Sequence, residues 1–279
     1  MIRIHKTPAI PAMLSGRGVT ESAILNQAYS ANSALYRSAT GVSNKILTKM
    51  SFDSGIYGDS TVKTLLINDQ HEKCCFCEAK FLDNSYGDVE HFRPKGAYQK
   101  RNSGPLTYPG YYWLGYDWDN LLFSCEKCNR SYKRNYFPLQ TEATRKPFHN
   151  HPNLLQNEDC LLVNPNMENP ANFITFREEV PVAINGNDKG KKTIEAFQLE
   201  RMNNTRMEHL LTLELALTWT KIDPTSEVQI KFAMQAFNFS RELVLKYIGD
   251  ATSLYDSSAK DTAKFAHCVR CKFPHLPIA

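Results

Sequence analysis

Two short cysteine pairs restrict what this chain can fold into more than any other feature. Cys74-Cys-Phe-Cys77 and Cys125-Glu-Lys-Cys128 are C-x2-C units separated by 47 residues. A knuckle of this spacing presents two thiolates to one point, so two knuckles complete a tetrahedral four-sulfur zinc site without any other ligand. Zinc held this way is structural, because four protein ligands leave no open position for water or substrate. Cys75 lies inside the first knuckle, too close to Cys77 for the usual ligand turn, and reads as a packing thiol. A third pair, Cys268-Val-Arg-Cys271, is flanked by His267 and His275. Those histidine spacings match no zinc pattern, so the pair is expected to pack at a helix end, with a second metal left open.

The metal reading presupposes reduced thiols. The first ten residues carry Arg3 and Lys6 but no apolar stretch or cleavage site of a secretory signal. The longest apolar run, Leu210 to Trp219, contains Glu214 and falls well short of the roughly 20 residues that cross a bilayer. No membrane span and a cytoplasmic location are therefore expected, where thiols stay reduced. With 279 residues, 42% hydrophobic and 22% charged, the chain suits one large or two modest globular domains and excludes collagenous, disordered or simple coiled-coil classes.

The net charge of +4 is too small to announce a nucleic-acid partner, but its distribution is uneven. Between His91 and Asn150 stand ten basic and four acidic residues, interleaved with tyrosines and tryptophans from Tyr98 to Tyr136. That mixture suits phosphate contact and base stacking, and equally a solvated basic face over an aromatic core. Patterning predicts a helix from Thr20 to Lys49, a break at Phe52 to Gly58, and a short helix capped by Ser60 with Val62, Leu65 and Leu66 at helical spacing. Short strands and loops follow to Gln140. Thr141 to Asn185 reads as irregular, with strand-like stretches at Leu161-Leu-Val and Phe173 to Phe176, and Asn187 to Asp250 as mainly helical. There Pro224 suits a first helical turn, and Val228, Phe232, Gln235 and Phe239 with Leu243, Leu245 and Ile248 suit a packed face. The apolar side chains between Thr193 and Ile222 exceed one buried helix face, so they serve an internal core or a partner groove.

Between and around the knuckles lie Glu90-His91-Phe-Arg93-Pro-Lys95, Asn120-Leu-Leu, and Asn129-Arg-Ser-Tyr-Lys133 directly after Cys128. The order C-x2-C, acid-His, Asn-Leu, C-x2-C-Asn, x3-Lys resembles the HNH endonucleases of the ββα-metal type over about Cys74 to Lys133. A wider match takes in Cys77-Glu78, Phe137-Pro-Leu139, Leu161-Leu-Val-Asn-Pro165 and Thr193-Ile-Glu with Leu199 and Arg206. Over roughly Ser60 to Arg206 the chain is similar to the HNH proteins of Septu-type and retron-associated antiphage systems (PtuB-like). It departs from that family's Leu-Asn-Arg at Leu199-Glu-Arg201.

The chain is read as an α+β protein with three parts: an N-terminal helical segment (1–59), a core (60–145) that the resemblance implies is a zinc-braced ββα-metal unit, and a connecting segment with a C-terminal helical domain (146–279). The resemblance also implies an endonuclease in which His91, whose ordinary pKa near 6.5 suits a general base, activates water. Glu90 and Asn129 would supply oxygen ligands to Mg²⁺ or another divalent ion, with Asp88 a competitor two residues along the strand. Asn120 would hold the loop that carries the base, and Arg93 and Lys133 would contact phosphate. The implied partners are nucleic acid, with DNA favoured and RNA open, an ATPase of the PtuA type, and a retron reverse transcriptase with its nucleic acid. The rivals are an RNA-cleaving effector of the same fold and a non-catalytic zinc-containing nucleic-acid-binding module.

Overall fold

A computed structural model of the chain describes residues 1–37 and 48–278. It is an α+β structure, with helices and two small two-stranded sheets. The chain divides into two compact units, one of Met1–Ile174 with Val182–Leu199 and one of Thr175–Pro181 with Glu200–Ala279.

In the first unit the helix expected from Thr20 to Lys49 is shorter. A π-helical turn, Leu14–Gly18, leads into α1 (Val19–Ala31), which ends where Asn32 turns to φ −156°. Asn32 and Ser33 compete for backbone hydrogen bonds and favour such breaks, and one 3₁₀ turn, Ser33–Leu35, follows. The part of the expected helix at 38–47 lies outside the described residues. After α2 (Ser54–Tyr57) comes α3 (Ser60–Asp69), capped by Asp59 instead of Ser60. The Asp59 carboxylate accepts the Thr61 N–H at 2.9 Å, which makes Ser60 the first helical residue. Val62 and Leu66 of α3 are fully buried and join Leu25, Tyr29, Tyr112, Tyr116, Trp118 and Leu121 in one core.

Strands β1 (Asp88–His91) and β2 (Leu121–Ser124) pair antiparallel, with Glu90 opposite Leu122 and His91 opposite Leu121. All four residues of β2 are buried, and its sequence Leu-Leu-Phe-Ser is accordingly almost continuous apolar. Gly87 enters β1 at φ +62°, and a Cβ there would lie 2.6 Å from the Phe123 ring. Only glycine combines that backbone with that contact. The edge of β2 is finished by a side chain. Gln70, just past α3, accepts the Phe123 N–H at 2.8 Å and donates to the Phe123 carbonyl at 2.7 Å, as a third strand would. Directly after β2, the π-helical segment Lys127–Lys133 completes a strand, strand, helix order.

The long connection from Phe92 to Asn120 is held against the strands. The Phe92 N–H donates to Asn120 O at 2.9 Å and the Tyr111 N–H to Pro94 O at 2.9 Å. Gly110, at φ +75°, presses so closely on Ala97 that a Cβ would sit 2.6 Å from its nitrogen. The segment beyond residue 145 belongs to the same unit, because the buried Glu158 carboxylate takes the Lys146 N–H at 2.8 Å and pairs with Arg93 at 3.0 Å. Leu162 and Val163 are fully buried as expected of a strand, but only an isolated bridge, Leu139 to Cys160, forms beside them. The second sheet is β3 (Ile174–Arg177) with β4 (Val180–Ala183), and α4 (Asp188–Ala196) follows, capped by Asn187.

The second unit is helical: α5 (Asn203–Thr220), α6 (Glu227–Phe237), α7 (Arg241–Ser257) and α8 (Ala266–Lys272). Ile230 and Ala233 of α6 pack with Val244 and Ile248 of α7, while Val228 and Phe232 are 80% and 71% exposed. Of the residues expected to pack, Ile248 and Phe239 do, while Val228 and Phe232 face outward because α6 lays the face of Ile230 and Ala233 against α7; the cap of α6 is Ser226, two residues past Pro224. On α5, Leu210, Leu213 and Ala216 are buried, whereas Met207, Leu211 and Leu215 are exposed. Part of the apolar surplus is therefore core and part is surface. Cys268 and Cys271 sit in α8, donating to Glu178 O at 3.2 Å and facing the Thr175 hydroxyl at 3.5 Å. No helix among the described residues is long and apolar enough to cross a membrane.

Replacing Gln70 by Ala removes the acceptor of a buried backbone N–H, which costs about 1–3 kcal/mol. Urea unfolding of Gln70→Ala is expected to show that loss, and an unchanged midpoint would refute the strand-like role of Gln70.

Candidate functional site

The first knuckle leaves α3 through positive-φ residues at His71 and Glu72 and turns again at Glu78, φ 61°. Its inner residue Cys75 is buried, and its N–H donates to Phe123 O at 3.0 Å, which fastens the knuckle to β2. The second knuckle starts at the residue after β2. The Cys74, Cys77, Cys125 and Cys128 sulfurs consequently all lie within 4.8 Å of one another, with Cys77 to Cys125 at 3.9 Å. A tetrahedral ion with bonds of about 2.3 Å to sulfur places its ligands about 3.8 Å apart. The group could therefore hold a metal ion such as zinc. None of the eight cysteines is in a disulfide, and Cys268, Cys271, His267 and His275 form no second such group among the described residues.

Beside this centre is a cavity of about 360 Å³ whose lining includes Glu90, His91, Lys95, Asn129 and Arg134. His91 is buried at the end of β1, with its ring edge against Tyr57 at 4.7 Å between centroids. Its Nε2 lies 2.9 Å from the Gly115 carbonyl. A carbonyl only accepts, so Nε2 carries the ring proton and Nδ1 carries the lone pair. Burial, with Lys95 nearby, holds the imidazole pKa well below its ordinary value, so the neutral ring is the form present at pH 7.

Asn120 acts on the same loop. Its Nδ2 donates to Arg93 O and to Leu114 O, both at 3.0 Å, and its Oδ1 accepts the Arg93 N–H at 2.8 Å. The carbonyl that holds His91 belongs to the residue after Leu114, so Asn120 braces the anchor of the imidazole. Lys6 supports this turn from behind, donating to the Trp118 carbonyl and, at 2.9 Å, to Leu121 O.

Glu90 is buried and paired at 2.5 Å with Lys133, which is itself fully buried and donates to His91 O at 3.1 Å. Burial raises the Glu90 pKa, and the Lys133 ammonium opposes that rise. Lys133 is thus placed beneath the site as the counter-charge of Glu90. Arg93 is turned onto Glu158 and the Leu155 carbonyl and does not line the cavity. Asn129 donates through Nδ2 to Asp88 Oδ2 at 3.0 Å, so its Oδ1 is the atom that could face a metal ion. Arg130 binds both Asp88 oxygens, at 2.8 and 2.5 Å, so Asp88 is committed away from the cavity. The remaining donors there, a carboxylate and an amide oxygen, are of the hard type that a divalent ion such as Mg²⁺ takes together with water.

The residues at this site not singled out from the sequence include Gly115, Lys6 and Lys95, with Lys49 and Arg134 in the cavity lining. Gly115 acts through its carbonyl, which no residue letter signals, and Lys6 acts on backbone from more than a hundred residues away. Lys95 was visible as the last residue of Glu90-His-Phe-Arg-Pro-Lys95, where its basic charge on the histidine loop was the available signal.

Replacing Asn120 by Ala leaves the Arg93 N–H and C=O without their partner, while Leu114 O keeps the Asp117 N–H, and a loss of about 2–4 kcal/mol follows from the usual cost per buried group. Thermal unfolding of Asn120→Ala should show it, and stability equal to the wild type would remove Asn120 from its bracing role.

No protein-family model matches the chain, and no solved structure matches it. Relatives of known name do. The chain is 35% identical to Septu protein PtuB of Bacillus mycoides (strain KBAB4) over 211 residues, 75% of this chain and 70% of the relative. It is 26% identical to Septu protein PtuB of Bacillus thuringiensis over 152 residues, 54% of this chain and 45% of that relative. Identity at the first of these levels over three quarters of the chain means that it belongs to the Septu PtuB family.

Proposed function

We propose that this chain is a metal-dependent HNH endonuclease that hydrolyses nucleic-acid phosphodiester bonds as the effector of an antiphage defence system. The observation that carries the proposal is the fixed tautomer of His91. Nε2–H is tied to Gly115 O, which reserves Nδ1 as a base in a cavity shared with Glu90 and Asn129. Lys49, Lys95 and Arg134 give that cavity a cationic lining suited to phosphate.

In this reading His91 Nδ1 takes the proton of the attacking water, a contribution of roughly 10²–10⁴-fold. Asn120 and Gly115 keep the ring in place, and Lys133 pairs with the Glu90 carboxylate and orients it. Glu90 and Asn129 would hold Mg²⁺ or another divalent ion, which when bound supplies charge neutralisation at the leaving oxygen. Zinc in the four-thiol centre would be structural, joining the knuckle at Cys74 to the end of β2. The family and its resemblance to Septu-type and retron-associated systems support an ATPase partner of the PtuA type and, more remotely, a retron reverse transcriptase with its nucleic acid.

His91→Ala is expected to abolish cleavage of plasmid DNA in the presence of the ATPase partner while the protein still folds and keeps its zinc. Asn129→Ala should instead raise the divalent-ion concentration needed, because a ligand contributes to ion affinity and a base to the chemical step. Wild-type cleavage by the His91 variant would defeat the nuclease reading. Degradation of total RNA but not plasmid would make the substrate RNA, and nucleic-acid binding without any cleavage would leave a zinc-containing binding module.

The metal centre gives a separate expectation of about one zinc per chain by elemental analysis. Cys125→Ser should lose that zinc and melt at a clearly lower temperature, since the ion joins segments distant in sequence. Zinc-free protein of unaltered stability would refute the assignment.

A further inference from the structure

Several cations around the site are neutralised by a carboxylate: Lys133 pairs with Glu90, Arg93 with Glu158, Arg130 with Asp88, and Arg145 with Glu142. Of the cations that line the cavity, Lys49, Lys95 and Arg134 have no carboxylate partner among the described residues, and Lys95 is the one that reaches the base. Its ammonium lies 3.2 Å from His91 Nδ1 and 4.4 Å above the centre of the Tyr57 ring, and the residue lines the cavity. With Nε2–H committed to Gly115 O, Nδ1 is the acceptor in this contact. The lone pair that hydrolysis requires is therefore occupied, and a base capped in this way cannot take a proton from water. Burial pulls the Lys95 pKa down to about 8, a cost that an anion beside it would remove.

We propose that Lys95 is a phosphate ligand that uncaps the base: it covers His91 Nδ1 while the cavity lacks nucleic acid and moves onto a non-bridging phosphate oxygen when a strand enters. The exchange is favourable because a hydrogen bond from ammonium to an anionic oxygen is stronger than one to a neutral imidazole. The flexible four-carbon stem of lysine allows the short movement it needs. The base is thus released only where a phosphodiester is already present, which restrains the enzyme towards water alone. The inference rests on the nuclease reading and adds to it a named phosphate contact and a substrate-dependent resting state.

The test uses the full chain and a labelled 30-base-pair DNA duplex without added divalent ion, so that binding is read without cleavage. Lys95→Met should weaken binding by about tenfold and lower the slope of log affinity against log salt by about one, whereas Lys95→Arg should retain most of the affinity. In parallel, the ¹⁵N resonance of His91 Nδ1 in the wild type should move on adding duplex, in the direction that Lys95→Met produces in the free protein. Wild-type affinity and salt slope in Lys95→Met, or a His91 resonance unmoved by bound duplex, would overturn the proposal and leave the nuclease reading standing. A wild-type protein that neither binds nor cleaves DNA or RNA would instead overturn the nuclease reading, and the role of Lys95 with it. If Lys95→Met does not fold, the wild-type resonance titration decides by itself.

Discussion

The convergence of four thiols at the end of β2 is the constraint on which the first unit depends. Cys74 and Cys77 follow α3 while Cys125 and Cys128 follow β2, so bringing their sulfurs within 4.8 Å places α3, the strand pair and the π-helical segment around one point. An ion in such a centre links folding to metal binding, because the unfolded chain holds no preformed site. The same junction is reinforced by ordinary hydrogen bonds. Phe123 receives Cys75 N–H and both ends of the Gln70 amide, so the buried edge of the two-stranded sheet has no unsatisfied backbone at its centre.

Around that junction the cavity is built from polar groups that are costly to bury and are each answered by a partner. The Glu90 and Lys133 pair sits in the interior, where desolvation consumes much of the attraction and stability gains little. Its value lies in orientation, since a carboxylate held against a buried ammonium presents a defined oxygen. Asn120 plays the corresponding part for backbone, joining Arg93 to Leu114 and so fixing the Gly115 carbonyl at the imidazole. The chemistry available to His91 thus depends on a backbone oxygen 24 residues away in sequence.

The second unit obeys a simpler rule. Its helices bury small and branched residues, Ile230, Ala233, Val244 and Ile248, and surround them with Trp219, Phe239 and Leu245. Arg206 is almost fully buried there, with its guanidinium 5.0 Å over Phe176 and donating to Glu179 O, which lets a charged group take part in an apolar core.

The sequence by itself determined the α+β class, the four-thiol centre and the family. Cysteine spacing and the order of Glu90-His91, Asn120 and Asn129 are properties of the letters and survive any choice of tertiary arrangement. It also located α3 to within a residue at its cap, because Asp59, Val62 and Leu66 act over one or two turns. Tertiary structure alone decided the rest. Which face of α6 is buried depended on its packing against α7, and the end of α1 on a turn at Asn32. Basic residues were legible as charges but not as roles, because a lysine is a counter-ion, a surface group or a ligand according to the carboxylates that folding brings beside it. Lys133 met Glu90 and was drawn inside, Arg93 met Glu158 and was turned aside, and Lys95 met no carboxylate and came to rest on the histidine.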